Sequence, residues 1–198
     1  MRAALLAALV ALAGFGVVPR AALAAQAADV SAAGAPEQGV RLEVQRRGEG
    51  VEVQASFLLP LTRCQAWRLL SNHDLAARLP EVASTTLTRV DARRVRVARE
   101  LRGPGPLAWV RARSVVEYIE DEPRGTDFFQ IEGPLLSYTG RWRLSDAPSG
   151  TIFAYSASAR AGPLTPSWLV GYVLGERLRG WLELMASQGP SYAGVECD

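Results

Sequence analysis

One long amphipathic helix closes the sequence, and most of the chain before it alternates apolar and polar residues in short, strand-like segments. Thr165 can cap this helix and Pro166 can occupy its first turn, and the helix is predicted to run to about Ser187, before Gly189 and Pro190. The apolar side chains recur at spacings of three, four and seven on one face: Leu169 or Val170, Val173, Leu174, Leu178, Trp181, Leu182 and Met185. Because one helix cannot bury such a face alone, we expect it to pack against a sheet built from the strands.

Eight segments have strand character and are bounded by Gly, Pro or Asp: 40–46, 51–59, 83–90, 95–102, 107–120, 126–132, 137–144 and 151–160. The first two flank a turn at 48–50 and form either a hairpin or one long strand with a break. Thr62 and Gln65 make a capping-box pattern before a helix over 63–70, and a second short helix is predicted to end at Arg78. The sequence therefore predicts an α+β fold in which two short helices interrupt an antiparallel meander.

The first residues indicate export from the cytoplasm. Residues 1–25 combine Arg2, an apolar run and small residues at cleavage positions, which is typical of a cleaved signal peptide. We predict a flexible lead-in over 26–39, a ligand-binding domain over 40–190 and a tail over 191–198, in a periplasmic or secreted protein. An exported compartment permits disulfides, so Cys64 and Cys197 either pair or stay as two free thiols, and the sequence leaves both open.

Composition excludes several classes of function. All 22 basic residues are Arg, and His73 is the only histidine, so no lysine Schiff base, P-loop lysine or four-ligand Cys/His zinc site can form. We expect no metal and no cofactor. Loss of the leader would remove Arg2 and Arg20 and leave twenty arginines against twenty acidic residues, which argues against nucleic acid as a partner. We interpret the Arg-rich stretches 93–96 and 111–113 as a solvated sheet face paired with acids such as Glu100 and Glu117, and His73 as a surface turn residue.

The stretch VEVQASFLLPLTRCQAWRLLSNHDLAARLPEV, over 51–82, resembles the opening of the START-like (SRPBCC) superfamily, in particular its polyketide cyclase/dehydrase and coenzyme Q-binding branch. The Leu79-Pro80 step, Gly133, the stretch 140–144 and the stretch 153–155 continue the resemblance in order along 50–187. The resemblance implies a helix-grip fold, with a curved antiparallel sheet of six or seven strands that wraps the final helix and leaves an apolar cavity. Members of this branch are often cytosolic or mitochondrial, unlike the exported protein predicted here.

A cavity of this kind needs aromatic walls and a few polar groups. Alternation puts Tyr138, Gly140 and Trp142 on one sheet face, where the glycine leaves room for a helix or a ligand. Trp168 and Tyr172 begin the final helix, where such folds usually open. The predicted ligand-binding residues are Trp142, Tyr138, Trp168, Tyr172, Tyr118 and Phe128.

Three functions fit this inventory, and we favour the first. The first is a non-enzymatic protein that binds a lipid, an isoprenoid or quinone, or a polyketide-like molecule, with transient membrane contact as a further prediction. The second is an enzyme of the cyclase, dehydrase or hydrolase type, which would need at least two ionisable groups with shifted pKa values inside the cavity. The third is a protein-interaction module with a filled core and an exposed apolar patch.

Overall fold

The computed structural model describes residues 39–103, 109, 111–162 and 167–197, with side chains of 167–169 left out. The predicted signal peptide, most of the lead-in and the helix cap at Thr165 and Pro166 lie outside the described residues. The strands are β1 (Arg41–Arg47), β2 (Gly50–Leu59), β3 (Val82–Arg89), β4 (Arg94–Arg102), β5 (Arg111–Asp121), β6 (Gly125–Glu132), β7 (Ser137–Ala147) and β8 (Gly150–Arg160). Two α-helices, α1 (Arg63–Leu70) and α2 (Ser167–Tyr192), are accompanied by a 3-10 helix over His73–Arg78.

All eight strands form one antiparallel sheet in the order β1-β2-β8-β7-β6-β5-β4-β3. Only β2 and β8 are neighbours in the sheet without being consecutive strands in the chain. The sheet and the closing helix α2 confirm the predicted α+β helix-grip fold. The expected count of six or seven strands is wrong, because β1 pairs with β2 as an additional edge strand. Arg47 lies opposite Gly50 in this hairpin, and Gly48 adopts the positive φ of 59° that a tight hairpin turn requires.

The capping box predicted for α1 is present. The Gln65 backbone N–H donates to Thr62 Oγ1 over 3.3 Å, and the Thr62 N–H donates to Gln65 Oε1 over 3.0 Å. These two bonds satisfy donors that a helix start would otherwise leave without partners. The helix then buries Ala66, Trp67 and Leu69 in the main core.

Helix α2 lies along β2 for the whole length of that strand. A Cβ atom at Gly171 would contact Val51 near the start of β2, and one at Gly189 would contact Leu59 at its end. The helix contacts mainly α1, β1 and β2. Its buried side chains Leu178, Leu182 and Met185 belong to the same core cluster as β2 and β8. No helix in the described part of the chain is long and apolar enough to cross a membrane.

The predicted end of α2 near Ser187 is wrong, because the helix continues through Pro190 to Tyr192. Contacts from the short helices stabilise this last turn. Asn72 Nδ2 donates to the Tyr192 hydroxyl over 2.7 Å, and Gln65 Nε2 donates to the Ala193 carbonyl over 2.8 Å. In the structure Cys64 and Cys197 form a disulfide, with their Cα atoms 6.1 Å apart, which joins α1 to the carboxyl terminus.

Candidate ligand site on the inner face of the sheet

Five neighbouring aromatic side chains form a connected group on the inner face of the sheet, which is the face that packs toward the core. We call them the aromatic layer: Tyr118, Phe128, Tyr138, Trp142 and Tyr155. The Phe128 ring centroid lies 5.8 Å from Tyr118, 5.2 Å from Tyr138 and 5.8 Å from Tyr155. Trp142 lies 4.7 Å from Tyr155. Four of the six predicted ligand-binding residues are therefore brought together, and Tyr155 joins them.

The space beside Gly140 is filled by the aromatic layer itself. A Cβ atom at this position would stand 2.5 Å from Phe128 Cζ and 2.4 Å from the Ser156 carbonyl oxygen. The expectation that this glycine leaves room for a helix or a ligand is wrong, since the Phe128 ring occupies that room. Phe128 and Trp142 are each 4% exposed and pack as core residues, whereas Tyr118 and Tyr138 are only partly buried.

Tyr138 and Tyr155 form a phenol pair, with their hydroxyl oxygens 2.6 Å apart. Burial raises the pKa of Tyr138, against the lowering influence of its hydrogen bond to Tyr155 and of the Arg99 charge. Burial also raises the pKa of Tyr155, and the neighbouring Tyr138 adds to that effect. Both hydroxyls therefore stay protonated at neutral pH and serve as neutral hydrogen-bond groups beside the aromatic layer.

Arg99 brings a positive charge to the same face. Its neighbours two residues away, Val97 and Leu101, point inward with it, and its Nη2 donates to the His73 carbonyl over 3.3 Å. Among the described residues, the buried Arg99 Nε has no hydrogen-bond partner, and neither has Oγ1 of Thr85, which lies opposite Arg99 on β3. No carboxylate of the described residues comes within 4.0 Å of this guanidinium.

His73 is buried rather than a surface turn residue, so that expectation is wrong. It is 7% exposed because the 3-10 helix packs against β3, and its ring lies 4.5 Å from that of Tyr118. Its Nε2 is 3.8 Å from Glu120 Oε1, beyond hydrogen-bond distance, while Arg89 Nη1 binds Glu120 Oε2 over 3.1 Å. Burial raises the pKa of Glu120, but His73 and Arg89 outweigh it and lower the pKa overall.

The described residues form a small crevice under the 3-10 helix and a notch at the sheet end, and neither is lined by the aromatic layer. The crevice lies between Trp67, Leu70, Ser71, His73, Glu120 and Thr126 and is too narrow to hold a water molecule. The notch, of about 320 Å³, lies outside the aromatic layer and is lined mainly by polar residues: Arg47, Glu49, Gly50, Val51, Glu52, Ser158 and Arg160.

The two predicted site residues on α2 do not join the aromatic layer. Tyr172 is 64% exposed on the outer side of the helix, and the Trp168 side chain lies outside the described residues. On the opposite face of the sheet, Arg96 Nη2 lies 2.8 Å from Glu117 Oε2, which agrees with the predicted pairing of the Arg-rich strands.

Sequence reasoning missed Arg99 and His73 as interior groups. The alternation Val95, Val97, Arg99, Leu101 would have indicated that Arg99 shares the buried side of β4. No comparable pattern identifies His73, since its burial depends on where the 3-10 helix packs.

Comparisons with known proteins agree with this architecture. The family model "Polyketide cyclase / dehydrase and lipid transport" matches residues 50–186. None of the curated proteins matches the chain. Among solved structures, the protein TTHA0849 from Thermus thermophilus is 20% identical, with a TM-score of 0.62, and the match covers 72% of this chain and 99% of that one.

Two further solved structures have the same fold at low identity. A STAR-related lipid transfer protein from Xanthomonas axonopodis is 16% identical, with a TM-score of 0.64, covering 78% of this chain and 96% of that one. The Zhui aromatase/cyclase from Streptomyces sp. R1128 is 14% identical, with a TM-score of 0.61, covering 71% of this chain and 94% of that one. At these identities the structural matches establish the fold alone.

Proposed function

This chain belongs to the polyketide cyclase / dehydrase and lipid transport family, and from that membership we propose that it is an exported protein that binds a hydrophobic small molecule against the aromatic layer. One observation carries the proposal. Among the described residues, Arg99 Nε and Thr85 Oγ1 are buried without hydrogen-bond partners on the inner face that carries the aromatic layer, and His73 Nε2 is likewise unpaired under the 3-10 helix. Buried polar atoms of folded proteins normally have partners, so unpaired ones beside aromatic walls suit a ligand with a few polar groups.

Access to the inner face also supports binding. Tyr118 and Tyr138 point inward from the sheet, and Leu174 and Trp181 pack against the core from α2, yet all four are only partly buried. Helix α2 contacts mainly β1, β2 and α1, so it does not lie along β4, β5 and β6. A ligand that enters beside α2 would meet the aromatic layer first. The name of the Xanthomonas neighbour, a lipid transfer protein, fits a ligand of this kind.

Native mass spectrometry of the gently purified protein, followed by denaturation and organic extraction, tests this function. We expect a stoichiometric hydrophobic adduct that Phe128→Leu weakens and Phe129→Leu retains, because these adjacent residues lie on opposite faces and are 4% and 37% exposed. A clean apo mass that resists loading with quinones, fatty acids and phospholipids would contradict the proposal. Equal loss of the adduct in both variants would show that the ligand does not bind against the aromatic layer.

Export is part of the same proposal. The Cys64–Cys197 disulfide supports it, because disulfides persist mainly in oxidising compartments. Expression of the full chain in a bacterial host should yield a periplasmic protein whose intact mass lacks a segment of about 25 residues. A full-length protein retained in the cytoplasm would contradict export. Transient membrane contact stays a prediction.

A second candidate function is a cyclase-type enzyme, and the phenol pair favours it. Tyr138 and Tyr155 have raised pKa values, as the enzyme hypothesis requires of interior groups, and a protonated phenol can donate a hydrogen bond to a substrate carbonyl. Incubation with a poly-β-ketone thioester, followed by mass spectrometry of the products, tests this role. Cyclised products that Tyr138→Phe reduces would support it, and product ratios equal to those without protein would contradict it.

A further inference from the structure

The charge of Arg99 indicates which chemical class of ligand the inner face would select. We propose that the site binds a hydrophobic carboxylic acid, with Arg99 receiving the carboxylate and the aromatic layer receiving the apolar body. This inference rests on the proposed binding function and specifies its ligand.

Within the described residues, Arg99 has no counter-charge, whereas the neighbouring carboxylates are already paired with other arginines. The carboxylate of Glu120 already has Arg89 at 3.1 Å, and on the opposite face Glu117 has Arg96 at 2.8 Å. Arg99 itself makes one hydrogen bond, to a backbone carbonyl, which leaves its charge uncompensated among the described residues. Arg99 is part-buried, so water solvates its charge only in part, and a ligand bearing a single negative charge would stabilise this arrangement.

The geometry of the guanidinium suits a carboxylate in particular. Arg99 Nε has no hydrogen-bond partner among the described residues, so this N–H, beside the Nη2 that contacts the His73 carbonyl, remains to donate to a ligand oxygen. Tyr138 and Tyr155 share one hydrogen bond between two hydroxyls, which leaves one hydroxyl hydrogen to donate. The positive charge of Arg99 opposes the rise in the pKa of Tyr138, so the guanidinium interacts electrostatically with this hydroxyl.

Other ligand heads fit less well. A cationic amine would be repelled by Arg99, and an alcohol would accept a hydrogen bond but leave the charge uncompensated. A phosphate monoester carries nearly two charges and would need a second cation, whereas Arg89, farther along β3, is already engaged by Glu120. A monoanionic carboxylate balances a single guanidinium.

Matched pairs of probes that differ only in the head group test the inference by calorimetry. The pairs are dodecanoate with dodecanol, and 2-naphthoate with 2-naphthalenemethanol, used below their aggregation limits, with dodecyl phosphate as a third arm. We expect each acid to bind about 10- to 100-fold more tightly than its alcohol, the range for a charge-assisted hydrogen bond. In Arg99→Gln the acid and the alcohol should bind with equal affinity, and in Arg99→Lys the acid should keep part of its advantage.

Arg141→Gln is the matched control, because Arg141 lies on the outer face of β7, one residue from the inward Trp142. This variant removes the same charge and should keep the full acid preference. Circular dichroism and thermal melting establish that each variant is folded. Wild-type protein alone already tests the ratio, so the inference does not depend on Arg99→Gln folding.

The outcomes separate the two proposals. Alcohols that bind as tightly as acids would refute the inference while leaving the binding function intact. Dodecyl phosphate that binds more tightly than dodecanoate would also refute it, in favour of a phosphate head. A folded Arg99→Gln that keeps the acid preference would refute the role of Arg99. Failure of every probe to bind would contradict the binding function and the inference together.

Discussion

Replacing Gly140 by alanine tests the packing of the aromatic layer directly. The new Cβ atom would stand 2.4 Å from the Ser156 carbonyl oxygen, 2.5 Å from Phe128 Cζ and 2.8 Å from Ala157 Cβ. Normal contacts of a Cβ atom start near 3.4 Å, so each of these overlaps is at least about half an ångström. The Phe128 ring can rotate away, but the Ser156 carbonyl belongs to the backbone of the central strand β8.

The expected cost follows from two opposing terms. Overpacking a close-packed interior costs about 1–3 kcal/mol, whereas replacing glycine inside a strand returns about 0.5–1 kcal/mol through the unfolded state. We therefore expect a net loss of about 1–2 kcal/mol. For a domain of this size, each kcal/mol corresponds to roughly 2–4 °C in melting temperature.

Urea unfolding followed by fluorescence and circular dichroism measures the free energy of unfolding, with Gly180→Ala as the control. Gly180 lies within α2, where a new Cβ atom would find its nearest neighbour, Leu79 Cδ2, at 4.0 Å. The same chemical change should there stabilise the protein by about 0.5–1 kcal/mol, because alanine favours the helix. In the double variant Gly140→Ala/Phe128→Leu, the combined cost should fall below the sum of the single costs.

A Gly140→Ala protein at least as stable as wild type would refute this reasoning. It would mean that the Phe128 ring does not occupy the space beside residue 140. If the free-energy costs of Gly140→Ala and Phe128→Leu simply add in the double variant, the new Cβ atom clashes with the β8 backbone and not with the Phe128 ring.

Two further predictions concern the carboxyl terminus and the crevice. Replacing Cys64 and Cys197 together by serine should lower the free energy of unfolding by up to about 5 kcal/mol, since the disulfide spans 133 residues. A wild-type protein whose urea midpoint is the same with and without reductant would contradict this prediction. Because the pKa of Glu120 is lowered from 4.5 in the folded protein, its ionised form stabilises the fold above that pH, and this stability is lost as the pH falls through the folded pKa. Glu120→Gln should therefore flatten the decline of urea midpoints measured between about pH 6 and pH 3, and an unchanged decline would argue against a stabilising role for the Glu120 contacts.

Local patterns were enough to predict most of the architecture. Thr62 and Gln65 begin α1 as expected, because a capping box involves only one turn of chain. The strands were located because side chains alternate every two residues, and the closing helix because its apolar residues repeat along one face. The resemblance to the START-like superfamily, which follows the same order along the chain, then predicted that these elements form a helix-grip fold. These predictions depend only on residues that are close in sequence, or on the order in which the elements follow one another along the chain.

The site was predicted less completely. Phe128, Tyr138, Trp142 and Tyr118 share a face because strand alternation and sheet neighbourhood placed them there. Tyr172 does not join them, because the rotation of α2 about its axis turns that side chain outward, and rotation depends on packing against β1 and β2. Arg99 was missed because the interpretation of the strand arginines covered only the stretches 93–96 and 111–113, and the alternation of β4 was not followed to residue 99.

The sequence by itself determined the kinds of element, their order and the absence of lysine chemistry, since these depend on local backbone preference and composition. Only the tertiary structure decided that β1 extends the sheet, that Phe128 fills the space beside Gly140, and that His73 is buried under a short helix. It also brings together Cys64 and Cys197, which are 133 residues apart. Each of these outcomes is set by contacts between distant segments, and such contacts form only when side chains from several elements share the same limited space.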